Sequence, residues 1–478
     1  MQLLEIEAHG RTGEILGRVI VFGLFAVMAF SVLAFGTVDP WSVAVFNISI
    51  VGLFLCWAIR CVVLKKLTLS LPTFALPIAL LFAYGILQSV TILDETGKRW
   101  SISMDVEATR LVLEILICLL IAFLLAATFF KGYQRLHWLK NFLIFFGLAL
   151  AVFALLQHFT WNGKFYWFIT PTTQVLTPFG PFVNHNHFAG YLGMIVPIPV
   201  ALIWTRSVRG ELAVLYGFAA AVMSIATIVS LSRGGMLSLL SGVIFVVLFG
   251  LNSIVRRKDE KKKVALMISR AAVVVLLLAT IAFGVVWIGA DAVIKRVERT
   301  EPTTQARSND SPIETISQSR AWIWRDTLAM IRDNWAMGVG LGAYQTAFPI
   351  YSQRDGSLIV AQAHNDYLQI LADCGIIGVI LVLWFIVLVI EDFRHAIRHR
   401  NPVMSGMALG CGGGVFSIII YSIFDFNLQL PSNALLFLVL TAVIFIVSSS
   451  SAQDRASEVK FKRATPFKDS TQRKEAWS

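Results

Sequence analysis

The sequence predicts an all-α polytopic membrane protein of about twelve transmembrane helices, with one large extracytoplasmic loop that itself contains helices. Hydrophobic residues make up 57% of the 478-residue chain and charged residues only 14%, whereas soluble domains carry about 25% charged residues. The apolar residues form segments of the roughly 20 residues that cross a bilayer. The connections between these segments alternate between basic and non-basic. A soluble core could not bury this much apolar surface, so the bilayer is the solvent for most of the chain.

Twelve segments have the length and composition of membrane-spanning helices. The first is too long for the apolar part of a signal peptide and is interpreted as a retained helix. The predicted spans are 18–36, 41–59, 70–93, 110–130, 138–158, 187–205, 211–231, 234–252, 264–290, 375–393, 404–424 and 431–449.

The basic residues predict the orientation. Both termini and every second connection, counted together with Arg270, hold 27 of the 40 Lys and Arg residues, and basic loops face the cytoplasm. Both termini are therefore predicted to be cytoplasmic, as an even number of spans requires. The net charge of +11 then reflects orientation. A nucleic-acid partner is not expected, because the basic residues form short clusters in separate loops.

Three regions follow from this topology. Residues 1–183 hold the first five helices and an outer loop, residues 184–449 hold the remaining helices and the extracytoplasmic loop 291–374, and residues 450–478 form a basic cytoplasmic tail predicted to be disordered. Within the loop, residues 300–319 are polar and predicted to be mobile. Loops of this length usually carry function.

An anion site is predicted where span 234–252 begins, on the outer face. Arg233 precedes Gly234 and Gly235 there. A helix N-terminus offers free N–H groups and partial positive charge, glycine lets another group approach the backbone, and a guanidinium suits phosphate oxygens. The alternative is an arginine that reaches to the lipid headgroups.

A loop helix is predicted over about 319–335. Arg320 stands one turn before Trp324 on the helix's apolar face, so it points toward whatever the helix packs against and needs an anionic partner, either a structural carboxylate or a substrate phosphate. The other members of this apolar face are Leu328, Ile331 and Trp335. The charged side chains predicted to face solvent are Arg325, Asp326, Arg332 and Asp333.

A histidine is predicted at the mouth of the next helix. Asn365 is a plausible N-cap, and the short helix that it starts is expected to end near Cys374 and Gly375. His364 would then lie at the outer membrane surface among polar residues. A lone histidine is more often structural, but histidine is also the commonest general base.

A further polar cluster is Asn184, His185, Asn186 and His187, at the outward start of span 187–205. Sugar binding or helix capping suits these residues better than a metal site, because side chains two positions apart do not share a helix face and no carboxylate pair accompanies them. No metal and no disulfide is expected. Asp425 is also predicted to face outward. The alternative interpretation of its segment is a tight turn without a role in binding.

Charged residues are nearly absent from the predicted mid-depth of the bilayer. Glu114 is the most intramembrane acid, and it lies toward the outer end of its span. Ion-coupled transporters usually bury ionisable groups at mid-depth, often within repeated halves. The sequence therefore favours an enzyme with its site at the outer interface.

In six ordered motifs the chain resembles the O-antigen ligase and polymerase superfamily of bacterial envelope glycosyltransferases. The motifs are spread over residues 184 to about 440, a stretch of over half of the chain, and the first five spans carry none. They are NHNHFAGYL from Asn184, SLSRGG from Ser230, SRAWIWRD from Ser319, GVGLGAYQ from Gly338, AHNDYLQILADCGIIG from Ala363 and DFNLQLPSNALLF from Asp425.

The resemblance implies a GT-C-like, inverting glycosyltransferase of the bacterial inner membrane that needs no metal or other cofactor and works on the periplasmic face. Its donor would be a glycan on undecaprenyl pyrophosphate. Its acceptor would be the lipid A core in a ligase of lipopolysaccharide biosynthesis, or a second carrier-linked glycan in an O-antigen or exopolysaccharide polymerase. The family's functional residues match Arg233, Arg320 and His364. The predicted substrate-binding residues are Asn184, His185, Asn186, His187, Gly234, Asn365, Tyr367 and Asp425.

Two other hypotheses remain. A transporter or flippase of a lipid-linked glycan would move it without forming a bond. A peptidoglycan-type polymerase of the shape, elongation and division class shares the architecture, and it would be expected to use a loop carboxylate, for which Asp366 and Asp373 are the candidates.

Overall fold

The computed structural model describes residues 2–93, 99–170, 178–255, 312–352 and 359–464. Within these ranges the chain is almost entirely helical, with one hairpin of two-residue strands, β1 Ile92–Leu93 and β2 Arg99–Trp100, and a short 3₁₀ helix, Asn427–Gln429. The helices are α1 Gln2–Leu33, α2 Pro40–Val63, α3 Ala75–Ser89, α4 Val106–Phe129, α5 Tyr133–Phe159, α6 His185–Ile195, α7 Pro197–Trp204, α8 Glu211–Val229, α9 Arg233–Val255, α10 Pro312–Asn334, α11 Tyr344–Tyr351, α12 Asp366–Ala396, α13 Pro402–Tyr421 and α14 Pro431–Ala464.

The predicted fold class, an all-α polytopic membrane protein, is confirmed. In the described part of the chain, ten helical segments are long and apolar enough to cross a membrane, with α6 and α7 forming one of them. The predicted span 70–93 is shorter in the structure, since α3 has only 15 residues and residues 92–93 pair with residues 99–100 instead. The predicted span 264–290 lies outside the described residues.

Connections that were predicted to share a side of the membrane lie together. At one end of the bundle, Ser207 Oγ donates to the carbonyl of Pro402 at 2.5 Å, which joins two predicted cytoplasmic connections. At the other end, Gln88 Nε2 donates to the carbonyl of Met337 at 2.9 Å, which joins the end of α3 to the large loop. We call this second end, where α6, α9 and α12 begin, the site end. That it faces away from the cytoplasm stays a prediction from the charges.

Helix α13 lies at the centre of the bundle, and its small residues allow close packing. A Cβ on Gly414 would lie 2.2 Å from the carbonyl oxygen of Met194, and one on Gly410 would lie 2.6 Å from Cα of Ile198. In membranes, where apolar burial does not drive helices together, such close backbone approach supplies much of the packing energy. This close packing fixes the position of Tyr421, the last residue of α13, and therefore the position of the turn that follows.

Helix α10 is the predicted loop helix, but it begins at Pro312 and buries a different face. Leu328 and Trp335, predicted to be buried, are 53% and 62% exposed. Asp326, predicted to face solvent, is 2% exposed and binds Arg325 at 2.9 Å. The reason is that α10 packs against α11 and α12 together, so its core face is centred on Ile323, Thr327 and Met330. Of the segment 300–319 that was predicted to be mobile, residues 300–311 lie outside the described residues.

Helix α12 is broken where the sequence predicted its first part to end. Gly375 has φ 59° and ψ −155°, a conformation that favours glycine. A Cβ there would also lie 2.5 Å from the carbonyl oxygen of Ala336, and Ile376 N donates to Trp335 O at 2.8 Å. The break therefore fastens the segment with α10 and α11 to the remaining helices.

At the C-terminus, α14 continues to Ala464. The tail was predicted to be disordered from residue 450, but residues 450–464 are helical. No proline or glycine interrupts this part of the tail. Residues 465–478 lie outside the described residues. The predicted division of the chain at 183 and 184 stays a prediction.

Candidate active site

Asp425 lies in the turn between α13 and α14 and joins two of the predicted catalytic residues. It is 1% exposed. Its Oδ1 is 3.2 Å from Nδ1 of His364, and its Oδ2 is 3.5 Å from Nη2 of Arg320. The sequence placed Asp425 among substrate-binding residues and gave no reason to pair it with either partner.

The surroundings of Asp425 favour its carboxylate form. Burial by itself raises the pKa of this carboxyl, but the hydrogen bond from His364 and the charges of His187, His364 and Arg320 outweigh burial and hold the pKa well below its usual range. Since an ionised carboxylate only accepts hydrogen bonds, Nδ1 of His364 carries the hydrogen. The imidazole therefore presents Nε2 as the nitrogen available to a substrate.

His364 is held in place by its own segment. Its φ of 51° lies in the left-handed region, which non-glycine residues adopt mainly where the surrounding structure requires it. The next residue, Asn365, is the predicted N-cap of α12, and its Oδ1 accepts from the backbone N–H groups of Tyr367 and Leu368. On the other side, Trp324 Nε1 donates to the carbonyl of Ala363 at 3.0 Å. These contacts leave the His364 side chain 32% exposed.

Arg320 points into the protein from α10, and the prediction that it has an anionic partner is confirmed. That partner is the protein carboxylate Asp425. The Arg320 side chain is 28% exposed. A guanidinium has five N–H donors, so a contact through Nη2 leaves other donors for a second anion. Arg320 can thus face a substrate phosphate while Asp425 holds it in position.

The start of α6 is built into the wall of the site. Asn184 caps the helix by accepting from Asn186 N. Asn186 in turn accepts from Ser232 Oγ at 2.7 Å and from Tyr421 Oη at 2.8 Å. His187 is 6% exposed. Much of this predicted sugar-binding cluster is therefore occupied with capping and with joining α6 to α9 and α13.

The rings of His187 and His364 flank one aromatic side chain. Each lies edge-on to Phe426, with centroids 4.9 Å apart. Phe426 is a residue that the sequence did not single out, and it brings the α6 and α12 histidines to one place.

Arg233 begins α9 and is exposed. The glycine that follows it does not leave open space, because a Cβ on Gly234 would lie 2.6 Å from the ring of Tyr421. Ser232 Oγ is also 2.7 Å from Tyr421 Oη. Packing against Tyr421 thus explains Gly234, and substrate binding by Gly234 stays a prediction. The structure brings Asp425 into contact with both Arg320 and His364. For Arg233 it shows only that the neighbouring Ser232 and Gly234 pack against Tyr421, and its membership of the site stays a prediction.

The peptidoglycan-type hypothesis named two carboxylates as candidates. Both are buried and accept hydrogen bonds from other parts of the fold. Asp366 Oδ2 accepts from Ser422 Oγ at 2.8 Å. Asp373 Oδ2 accepts from Gln369 Nε2 at 3.1 Å. Each carboxylate thus joins parts of the fold.

Among the residues that the structure describes, no group of three or more His, Cys, Asp or Glu side chains is arranged to hold a metal ion. Metal independence stays a prediction.

One comparison with known proteins gave a match. A family model described as O-antigen ligase matches residues 218–383, about a third of the chain. The match includes Arg233, Arg320 and His364, but neither the α6 cluster nor Asp425. No curated protein matches the chain.

Proposed function

We propose that the chain is a membrane glycosyltransferase of the O-antigen ligase and polymerase type, which the family match over residues 218–383 supports, and that it transfers a glycan from undecaprenyl pyrophosphate to an acceptor hydroxyl. The acceptor is the lipid A core of lipopolysaccharide. The enzyme lies in the bacterial inner membrane, with both termini in the cytoplasm and its site on the periplasmic face. The observation that carries the proposal is the contact of one buried carboxylate, Asp425, with both His364 and Arg320.

The pair His364–Asp425 supplies the base. The acceptor hydroxyl gives its proton to Nε2 of His364 while its oxygen attacks the anomeric carbon of the donor sugar. The bond from that carbon to the pyrophosphate oxygen breaks, and the electron pair leaves with the pyrophosphate. His364 then returns its proton to solvent. A single displacement inverts the anomeric centre. General base catalysis of this kind contributes about 10²–10⁴-fold in rate.

The arginines serve the leaving group. The pyrophosphate gains negative charge as the bond breaks, and Arg320 has guanidinium donors beyond the one that contacts Asp425. Arg233 stands at the N-terminus of α9, where the free N–H groups and the helix dipole add to its charge. Removing one such donor typically costs about 3 kcal/mol, or roughly a hundredfold in rate. Two cationic side chains and a helix terminus support a mechanism in which protein groups, without a metal, neutralise the pyrophosphate.

The substrate-binding roles of the neighbouring residues belong to the same proposal. His187 contacts the same Phe426 ring as His364, and in this proposal His185 and His187 contact sugar hydroxyls of the substrate. Asn365 and Tyr367 act indirectly, by holding the segment that carries His364 in its conformation.

Glycan transfer by the purified full chain in lipid vesicles tests the proposal. We expect His364→Ala and Arg320→Ala each to lower the transfer rate at least a hundredfold. Arg332→Ala is the matched control, because Arg332 lies on the same helix with 80% of its side chain exposed and should transfer normally. Near-normal transfer by a stably folded His364→Ala protein would refute the assignment. Translocation of the glycan without bond formation would instead indicate a flippase.

A polymerase would use the same residues with a second carrier-linked glycan as acceptor. Glycan analysis of a deletion strain separates the two activities. Loss of all long chains from lipid A, with carrier-linked chains accumulating, is expected for the ligase. Single repeat units on lipid A would indicate an O-antigen polymerase, and a change limited to secreted polysaccharide would indicate an exopolysaccharide polymerase.

A further inference from the structure

Two arginines meet at the end of the bundle opposite to the site end. Arg60 lies in the last turn of α2, and Arg135 is the third residue of α5. A Cβ on the buried Gly17 of α1 would lie 3.6 Å from Arg60 Nε and 3.7 Å from Arg135 Nη2. Each nitrogen thus lies within 4 Å of one point, so the two guanidinium groups face the same space beside α1.

Both guanidinium groups are held in place by the protein. Phe129, the last residue of α4, contacts both: Arg60 Cζ lies 5.4 Å from the centroid of its ring, and Arg135 Nη1 donates to its carbonyl at 3.1 Å. Arg60 Nε also donates to the carbonyl of Gly13 at 3.0 Å. Arg60 Nη1 donates to Thr68 Oγ1 at 2.8 Å. The two cations are therefore placed side by side by four segments of the fold.

These contacts leave the positive charge of the pair uncompensated. Its partners are an aromatic ring and neutral oxygens, and within the described part of the chain no carboxylate forms an ion pair with either arginine. Among the described side chains at this end of α1, α2, α4 and α5, the one carboxylate is Glu14, which is 63% exposed and binds Arg18 at 2.7 Å. Like charges that converge in a half-buried place repel each other, so the arrangement favours an anion between them.

The two arginines also have the donors that such an anion requires. A guanidinium has five N–H groups, of which Arg60 uses two and Arg135 one in these contacts. Both residues are only half-buried, so the remaining donors can be reached from outside. The planar fork of a guanidinium matches phosphate oxygens. Charge-assisted hydrogen bonds are about 2.8 Å long, so one phosphate can bridge two guanidinium groups that face the same space.

The position of the pair favours a lipid as the source of the phosphate. Gly10–Leu33 and Pro40–Val63 are two of the segments long and apolar enough to cross a membrane, and Gly17 and Arg60 lie within two turns of the ends of these segments. Basic pockets between transmembrane helices on the cytoplasmic side bind anionic headgroups. The exposed side chains of Ile15 and Val62, at 54% and 76%, offer apolar surface beside the pair for acyl chains.

We propose that Arg60 and Arg135 form a binding site for the phosphate of an anionic phospholipid, at the predicted cytoplasmic end of the bundle. The bound headgroup neutralises the pair and joins α1, α2, α4 and α5. A zwitterionic lipid is bound less well, because its ammonium group adds positive charge where the exposed Lys65 and Lys66 already follow α2. The site does not depend on the reaction that the chain catalyses.

Thermal unfolding of the full chain in vesicles of defined composition tests this site. Replacing part of the phosphatidylcholine with phosphatidylglycerol should raise the unfolding midpoint of the unmodified protein by about 2–4 °C. Arg135→Gln should lose most of this gain. Lys66→Gln is the matched control, because it removes the same charge from an exposed position at the same end, and it should keep the gain.

Three results of this experiment would overturn the proposal. The first is no gain in the unmodified protein. The second is the same gain in both variants, because the lipid would then respond to net charge and not to the arginine pair. The third is an equal gain from inorganic phosphate added to phosphatidylcholine vesicles, which would make the ligand a soluble anion.

Photo-crosslinking reads the site in the unmodified protein and so does not depend on how well a variant folds. A phosphatidylglycerol that carries a diazirine in its headgroup should label the peptides that contain Gly17 or Phe129. Excess unlabelled phosphatidylglycerol should suppress this labelling, and phosphatidylcholine should not. Equal suppression by both lipids, or labelling confined to other segments, would overturn the inference. Since no glycan transfer is measured, the result is separate from the test of the proposed function.

Discussion

Replacing Asp425 with asparagine removes one charge from the centre of the site and keeps the size of the side chain. Two contacts change. The Arg320 guanidinium, 3.5 Å away, loses its counter-ion, and Nδ1 of His364, 3.2 Å away, loses the carboxylate that fixes its hydrogen. Because an amide can donate as well as accept, the variant also permits the histidine tautomer with hydrogen on Nε2, which cannot take a proton from the acceptor.

The expected magnitudes differ for stability and for rate. Unit charges 3.5 Å apart interact by about 5 kcal/mol at an effective dielectric constant of about 20. The Arg320 and His364 side chains are 28% and 32% exposed, so solvent screening and desolvation reduce the net loss to about 1–3 kcal/mol. The rate should fall further, by about 10²–10⁴-fold, since an incorrectly held base loses its contribution to catalysis.

The assay is glycan transfer by the purified protein in vesicles, together with its thermal unfolding midpoint. The depressed pKa of Asp425 fixes the pH dependence of the stability difference. A carboxyl whose pKa is lower in the folded state contributes stability that is fully present above its unfolded pKa, about 3.9, and is lost as the pH falls through its folded pKa. The part of the midpoint gap between the unmodified protein and Asp425→Asn that comes from this carboxylate should therefore be present at neutral pH and should shrink as the pH falls below about 4.

Asp333→Asn is the matched control. Asp333 carries the same carboxyl beside an arginine, with Oδ1 3.1 Å from Arg332 Nε, but both side chains are exposed, at 48% and 80%. Exposed pairs contribute about 0–1 kcal/mol, so this variant should transfer and unfold normally. Transfer by Asp425→Asn within a few fold of the unmodified protein would refute the view that Asp425 orients the base.

Three further variants are informative. Arg320→Lys should retain the charge but transfer at least tenfold more slowly, because an ammonium lacks the guanidinium fork, and a normal rate would show that charge alone suffices. Gly234→Ala should lower the unfolding midpoint, because its Cβ would lie 2.6 Å from the Tyr421 ring. The control Gly52→Ala should leave the midpoint unchanged, since its Cβ would have nothing within 4 Å. Equal midpoints for the two variants would contradict the packing of Gly234 against Tyr421. Gln88→Leu should destabilise the protein by about 2–4 kcal/mol, since it removes three buried hydrogen bonds at 2.9–3.0 Å to the large loop, and unchanged protease resistance of that loop would count against this role.

Local sequence patterns were sufficient for much of the fold. Ten spans lie where the hydropathy predicted them, because a run of apolar residues has no stable place except the bilayer. Asn365 caps α12, and the helix breaks at Gly375 as the sequence predicted, because capping and left-handed backbone depend on residues close together in the chain. Arg320 points inward for the same reason, since the helical period fixes its direction relative to Trp324.

The exposure of the loop helix shows where local patterns fail. Hydrophobic periodicity placed Leu328 in the core and Asp326 in solvent, and the structure reverses both. Periodicity assumes one buried face, whereas α10 packs against two neighbours whose positions the pattern does not contain. Arg325 then neutralises the buried carboxylate.

The sequence by itself determined the fold class, the positions of ten spans and the choice of Arg233, Arg320 and His364 as candidates, because each depends on composition and spacing within a short segment. Only the tertiary structure decided that Asp425 joins Arg320 to His364. Asp425 follows His364 by 61 positions. Contacts of this kind depend on how whole helices pack, and the close approach of α13 to its neighbours is what sets that turn beneath the histidine.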